Sequence, residues 1–279
     1  MVSVEEIVKA VKSRKELQTL DDQFVKDRVK RVLAANGVIR KKMDDASSFA
    51  QFCRSKEYEE LLKRVRKELR AVYGVFQIGS RKKIIDKLRN SSLDEKEETI
   101  VEILKSHQST SERLPYYKNI YSTICEKTQP KTIIDLGCGM NPLAYHHFAQ
   151  HPTIIASDIS QEDMDFLQEC FDILKIPGKT IRLDLITEYE KLAKLKGDAT
   201  LLLKLLDSLE EAKRHISYKI FDNIKTPWII ASFPTKSLGG KKTIARAGRA
   251  WFERLLKRKE MTWETFSVEN ELFYIIKNR

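Results

Sequence analysis

Apolar residues recur at three- and four-residue spacing through the first hundred positions. Val4, Ile7, Val8 and Val11 make one stripe, and Phe24, Val25, Val29, Val32 and Leu33 a second, behind an Asp21-Asp22 pair placed to cap and charge a helix start. Tyr58, Leu61, Leu62, Val65, Leu69 and Val72 make a third, stopped at Gly74; Ile84, Ile85 and Leu88 predict a short fourth helix, and Ile100, Val101 and Leu104 a fifth. No Val/Ile/Thr alternation interrupts them. Residues 1–105 are therefore predicted as an all-helical domain, apolar stripes inward and Lys/Arg outward. After His107 the pattern changes. Ser109-Thr-Ser-Glu112 has the form of a capping box opening a helix to about residue 127, with Pro115 tolerable in its early turns. Short apolar runs then alternate with helical stretches: strands are predicted at 131–136, 153–157, 180–183, 199–203 and 228–233, and helices at 161–174 and around 209–220. Two late runs, 262–267 and 272–276, are suited to an edge hairpin. Residues 106–279 thus form a predicted α/β domain with a mainly parallel sheet, whose ligands bind beyond the carboxyl ends of the strands.

Charge sharpens this division. The chain has 279 residues, 51 Lys/Arg against 40 Asp/Glu and a net charge of +11. Residues 26–89 alone hold 19 basic and 8 acidic residues, the whole excess. That concentration points to an anionic partner, with nucleic acid ahead of a membrane surface. Lys41, Lys42, Lys63 and Arg64 are its candidate contacts. No run of about 18 apolar residues predicts a membrane span, and no basic-then-apolar N-terminus predicts a secretory signal. Cys53, Cys125, Cys138 and Cys170 form no CxxC pair, which fits free thiols in a reducing cytoplasm and predicts no metal site. His147 and His151 stand four apart but lack an accompanying acid or cysteine pair, so they are expected to be packing or surface residues.

Candidate chemistry lies after the first strand, in Asp135-Leu-Gly137-Cys-Gly139-Met-Asn141-Pro142. Two glycines let a backbone approach a ligand closely, and Asn141 and Pro142 suit a helix start. Asp158 ends the second strand, where a carboxylate accepts bonds from ribose hydroxyls, and Asp184 ends the third. A dinucleotide loop wants a third glycine where Pro142 stands. Acids at successive strand ends suit the cationic S-adenosylmethionine better than a pyrophosphate. Both carboxylates could instead merely cap helices.

Six motifs in one order carry a resemblance: His107-Gln-Ser-Thr-Ser-Glu-Arg113-Leu-Pro, Asp135 to Ala144, Leu203-Lys204-Leu-Leu, Ser232-Phe-Pro-Thr-Lys-Ser-Leu-Gly-Gly240, Trp251-Phe-Glu253 and Asn270-Glu-Leu-Phe-Tyr-Ile276. Together they resemble the aminoglycoside-resistance methyltransferases that modify guanine N7 in small-subunit (16S) ribosomal RNA. The resemblance is specific over 107–279 and looser before it. It implies a Rossmann-like class I methyltransferase sheet behind a helical, basic ribosome-docking domain, and S-adenosyl-L-methionine as cofactor. It gives Arg113 the donor's carboxylate, Gly137 and Gly139 its methionine part, Asp158 its ribose, and Asp184-Leu185 its adenine. Lys204 lies near the pocket, and the loop from Lys236 to Gly240 faces RNA. This chain departs from the pattern at Gly137, where alanine is frequent; at Leu206-Asp207, where many members have Leu-Pro; and in Lys241-Lys242-Thr-Ile-Ala-Arg246.

Guanine N7 carries a lone pair and no proton, so no general base is required. Lys204 and Phe233 are the candidate positioning residues, with Phe233, Pro234 and Trp251 available to receive an extruded base. Lys236, Lys241 and Lys242 are candidate phosphate contacts. The expected partner is the assembled small subunit, met by a monomer, with aminoglycoside resistance as the consequence. The alternatives are a methyltransferase for another RNA, a non-catalytic ribosome-binding protein with a vestigial fold and, more distantly, a nicotinamide oxidoreductase.

Overall fold

A computed structural model describes residues 2–14, 17–18, 20, 22–72, 81–235 and 249–278. The chain divides into two compact units, Met1–Phe76 with Ile159–Glu162, and Gln77–Asp158 with Asp163–Arg279.

The first unit holds helices α1 (Val4–Val11), α2 (Asp22–Ala35), α3 (Gly37–Asp44), α4 (Phe49–Phe52) and α5 (Lys56–Val72). A capping box starts α1: Ser3 Oγ accepts from the Glu6 N–H and Glu6 Oε2 from the Ser3 N–H. The predicted stripes meet in one core, with Ile7, Val11, Phe24, Val25, Val29, Leu61, Val65 and Leu69 all buried. Helices α3 and α4 have stripes too short to be seen as periodic, and Ile39, Met43 and Phe52 join that core. One basic residue departs from the outward expectation. Arg28 is 2% exposed, its guanidinium 4.6 Å from the centre of the Phe24 ring. The expected cap at Asp21 and stop at Gly74 lie outside the described residues.

The second unit opens with α6 (Arg81–Asn90) and α7 (Leu93–Lys105). Both helices precede the boundary expected at 105/106. They group with the sheet because α7 packs on the segments around 108–116 and 141–147. Composition marked a change of secondary structure at 105; compactness follows burial. The capping box expected at Ser109 is not formed. Helix α8 (Gln108–Arg113) starts behind His107, two residues before the expected cap, and Thr110 Oγ1 donates to the His107 carbonyl at 3.0 Å. A 3-10 turn at Leu114–Tyr116 separates α8 from α9 (Tyr117–Thr128), so the long helix expected to 127 is broken where Pro115 removes an N–H.

The strands are β1 (Thr132–Leu136), β2 (Thr153–Asp158), β3 (Gly178–Arg182), β4 (Ala199–Leu203), β5 (Trp228–Pro234), β6 (Thr262–Val268) and β7 (Glu271–Lys277). Between them lie α10 (Gln161–Leu174), α11 (Leu206–Ala212), α12 (Ile216–Asn223) and α13 (Ala250–Arg258). The sheet order is β3-β2-β1-β4-β5-β7-β6. The first five strands are parallel and β7 runs antiparallel to both β5 and β6. This is the expected Rossmann-like class I methyltransferase sheet. Ile133, Ile134, Leu201 and Leu202 are buried, as strands covered on both faces require. The hairpin is present, but its second strand, β7, enters the sheet and leaves only β6 at the edge. The helix expected over 209–220 is two helices, broken at His215 with a left-handed φ of 65°. The order reverses between β1 and β4, so a crevice is expected at their carboxyl ends.

Candidate functional site

The turn after β1 sits at that reversal. Gly137 and Gly139 have φ of 61° and 50°, the left-handed region that favours glycine. A Cβ on Gly137 would meet Leu205 Cδ1 at 2.6 Å, so the turn after β1 and the segment after β4 are in close contact. The Cys138 N–H donates to the Ser157 carbonyl at 3.0 Å, and the Gly139 N–H to Asp158 Oδ2 at 2.9 Å. One carboxylate oxygen at the end of β2 therefore anchors the glycine turn at the end of β1. Asn141 does not cap the following segment, which is a 3-10 turn from Asn141 to His147. Its side chain bridges instead: Nδ2 donates to Asp135 Oδ2 at 2.7 Å, and Oδ1 accepts from Tyr117 Oη at 3.0 Å. Burial raises the Asp135 carboxyl to about 7, against the lowering influence of Asn141 and Arg113. Cys138 is buried and its thiol is pushed well above its ordinary range by burial, which removes it as a nucleophile. His147 stacks on Tyr117 at 5.7 Å.

Asp184 lies on the neighbouring turn, buried. Its Oδ1 accepts from the Ile186 N–H and its Oδ2 from Thr187 Oγ1, both at 2.9 Å. Both oxygens serve the carboxylate's own turn, and no helix starts there for it to cap. Leu185 beside it is 5% exposed.

Arg113 ends α8 and is 2% exposed. Its guanidinium grips Glu271 in a fork, Nε to Oε2 at 2.9 Å and Nη2 to Oε1 at 2.8 Å. Glu271 stands opposite Pro234 in the β5–β7 register, which carries it to the carboxyl end of β5. It also accepts from Ser232 Oγ and lies 3.3 Å from Lys204 Nζ, while Lys204 pairs with Glu112 as well. Lys204 follows β4 in a left-handed conformation, φ 52°, its N–H bonded to Ser232. Two basic and two acidic side chains, from α8, the residue after β4, and β7, thus form one network. Burial, then the charges of Arg113 and Lys204, hold the His107 imidazole near 4. Reading along the chain missed Glu271 as a functional residue. Its only signal was its place in the Asn270 to Ile276 run.

Phe233 requires a correction. Expected to receive an extruded base, it is 1% exposed, surrounded by Phe252, Tyr274 and Trp251 at 4.8, 5.8 and 6.1 Å, with the Arg249 guanidinium 4.6 Å over its ring. β5 is buried on both faces, so Phe233 lies in the core and no face is left for a base. Trp251 is half-buried. Lys41, Lys42 and Lys63 are exposed on the first unit; Arg64 is exposed but engaged, with Nε donating to Glu60 at 2.9 Å and Nη1 to Asn36 at 2.8 Å. Lys236, Lys241 and Lys242 lie outside the described residues.

Comparison with known proteins agrees with this geometry. The model of the ribosomal RNA methyltransferase (FmrO) family matches residues 38–275. The 16S rRNA (guanine(1405)-N(7))-methyltransferase of Frankia casuarinae is 29% identical over 229 residues, covering 78% of this chain and 80% of its own. That of Micromonospora echinospora is 31% identical over 228 residues, covering 78% and 82%. Among solved structures, the 16S rRNA methyltransferase RmtF in complex with S-adenosyl-L-homocysteine matches with a TM-score of 0.79 at 23% identity, all of both chains being covered, a likeness of fold.

Proposed function

The chain belongs to the ribosomal RNA methyltransferase (FmrO) family, and from that premise we propose that it methylates N7 of guanine 1405 of 16S rRNA on the small ribosomal subunit, using S-adenosyl-L-methionine. A methyl and a positive charge at that base are expected to give aminoglycoside resistance. The protein is expected to act as a monomer on cytoplasmic ribosomes; among the described residues, no helix is long and apolar enough to cross a membrane.

The observation that carries the donor site is the Asp158 to Gly139 bond at the chain reversal. The site fits the donor: two left-handed glycines open the backbone at the end of β1, a carboxylate ends β2, and a guanidinium is held at the end of β5. When bound, the donor supplies a methyl group on a cationic sulfur. Asp158, whose Oδ2 holds the turn, is the carboxylate for the ribose hydroxyls. Gly137 and Gly139 admit the methionine part. Arg113, aimed by Glu271, attracts the carboxylate, and Lys204 keeps that network neutral. Asp184 acts by fixing its turn and, with it, Leu185 for the adenine.

Because guanine N7 has no proton to lose, alignment and exclusion of water are the chain's tasks, and positioning of this kind supplies ~7–11 kcal/mol of a barrier. Asp135 and Cys138, both buried, have no proton-transfer role. Purified small subunits incubated with labelled donor should gain label at guanine 1405. Asp158→Asn, which keeps an oxygen for the Gly139 N–H, should lose at least tenfold in S-adenosylhomocysteine affinity by calorimetry (about 1.4 kcal/mol) with thermal unfolding unchanged. Unchanged affinity removes Asp158 from the site, and absence of label from the subunit refutes the function.

A further inference from the structure

The second unit carries a cleft away from the glycine turn. It lies between the α11–α12 corner and α13 and encloses about 890 Å³, in the upper part of the range of ligand clefts, about 300–1,000 Å³. Trp251, Arg254 and Arg258 follow one another at helical spacing along α13, with Lys257 beside them; Arg214 and Tyr218 face them from the other wall. Arg214, Arg254, Lys257 and Arg258 are exposed and form no ion pair with any described residue, although Arg258 lies over the Tyr218 ring at 5.9 Å. Two acids share the lining, Glu210 and Glu211, along with the exposed His215. Glu210 is occupied: its two oxygens accept from the N–H groups of His215 and Ser217, at 2.7 and 2.8 Å, and hold the corner between the helices.

The cleft therefore gathers four arginine and lysine heads against two carboxylates, one of them spent on backbone, around two half-buried aromatic rings. A small apolar ligand would not need that charge. A folded protein partner would leave the cations unpaired unless it were strongly acidic. The combination fits a looped or single-stranded nucleic-acid segment, with phosphates on the guanidinium and ammonium groups and an unstacked base on an indole. Its position supports this. Trp251 contacts Phe233 edge-on at 6.1 Å, and Phe233 adjoins Ser232, which donates to Glu271 in the site network. Trp251 thus ties the cleft to β5, whose carboxyl end lies opposite Glu271.

We propose that the Trp251–Arg258 face of α13, together with Arg214 and Tyr218, is a docking groove for a segment of the ribosomal RNA substrate, separate from the basic first unit. This rests on the methyltransferase reading above. The groove holds RNA near the pocket, through phosphates and one stacked base.

The test uses the full chain and purified, unmodified small subunits. Wild type must first transfer labelled methyl to the subunit; no transfer defeats the methyltransferase reading, and this proposal with it. Given transfer, the triple variant Arg254→Glu, Lys257→Glu, Arg258→Glu should weaken subunit binding by about tenfold or more. Its plot of log affinity against log salt should be shallower by about 0.7–0.9 for each phosphate no longer neutralised. S-adenosylhomocysteine affinity and melting temperature should stay at wild-type values, since all three side chains are exposed. The double variant Arg254→Lys, Arg258→Lys should keep the wild-type salt slope. Unchanged affinity in the triple variant overturns the proposal. So does weakened binding with an unchanged salt slope, which would place a ribosomal protein rather than phosphates on this face.

Discussion

Gly137 is held by two constraints, its left-handed φ of 61° and the Leu205 side chain 2.6 Å from where a Cβ would stand. Alanine is frequent at this position in the family the chain resembles; in this chain the turn is built for glycine. Gly137→Ala should cost about 2–3 kcal/mol in urea unfolding, from left-handed strain plus overpacking. Adding Leu205→Ala should lose less than the sum of the single changes, because the two side chains would compete for one space.

Asp135 and His107 make opposite contributions to acid stability. A carboxyl raised to about 7 favours the protonated folded state, so its contribution falls as pH rises from about 4 to 7. An imidazole lowered to about 4 is neutral when folded, so its contribution falls as pH drops from about 6.5 to 4. Asp135→Asn should therefore gain stability relative to wild type as pH rises through 4–7, by at most about 4 kcal/mol. Its own stability should fall below pH 6.5. Chemical denaturation across that range measures both slopes, and parallel curves for the two proteins would contradict the assignment to Asp135.

At the scale of elements, the Arg113–Glu271 pair joins α8 to β7 through two side chains each 2% exposed. Removing one member leaves a buried charge. Glu271→Ala should destabilise by about 3–5 kcal/mol, and Arg113→Met with Glu271→Met should be less damaging than the single change. Equal losses in urea titrations would show that the pair's geometry, not its charge balance, matters. Most elements themselves were legible from periodicity, because β1, β2, β4 and β5 are short, largely apolar runs and the long helices carry stripes. The breaks were not. Pro115, expected to be tolerated inside one long helix, breaks it, and the bend at His215 depends on the Glu210 oxygens that receive the His215 and Ser217 N–H groups, which nothing in the local pattern marks.

At the scale of the molecule, the excess of positive charge belongs to residues 26–89. The exposed Lys41, Lys42 and Lys63 lie in that segment. Reversing all three to Glu should weaken small-subunit binding and flatten its salt dependence, by about 0.7–0.9 in slope for each phosphate the lysines had neutralised. S-adenosylhomocysteine binding should not change. A subunit affinity indifferent to these reversals would assign the first unit another task.

The glycines, the carboxylate after β2, the basic segment and most of the order of helices and strands were readable along the chain. Each is a local property: a φ tolerance, a residue type at a strand end, a charge density or a hydrophobic period. Folding alone decided that Glu271 meets Arg113, 158 positions away, and that Asp184 spends its oxygens on its own turn. It also decided that Phe233 lies in the core and that α6 and α7, before residue 105, belong to the compact unit that holds the sheet. These depend on β7 entering between β5 and β6 and on which surfaces burial brings together, and burial is a property of the assembled chain rather than of any stretch of it.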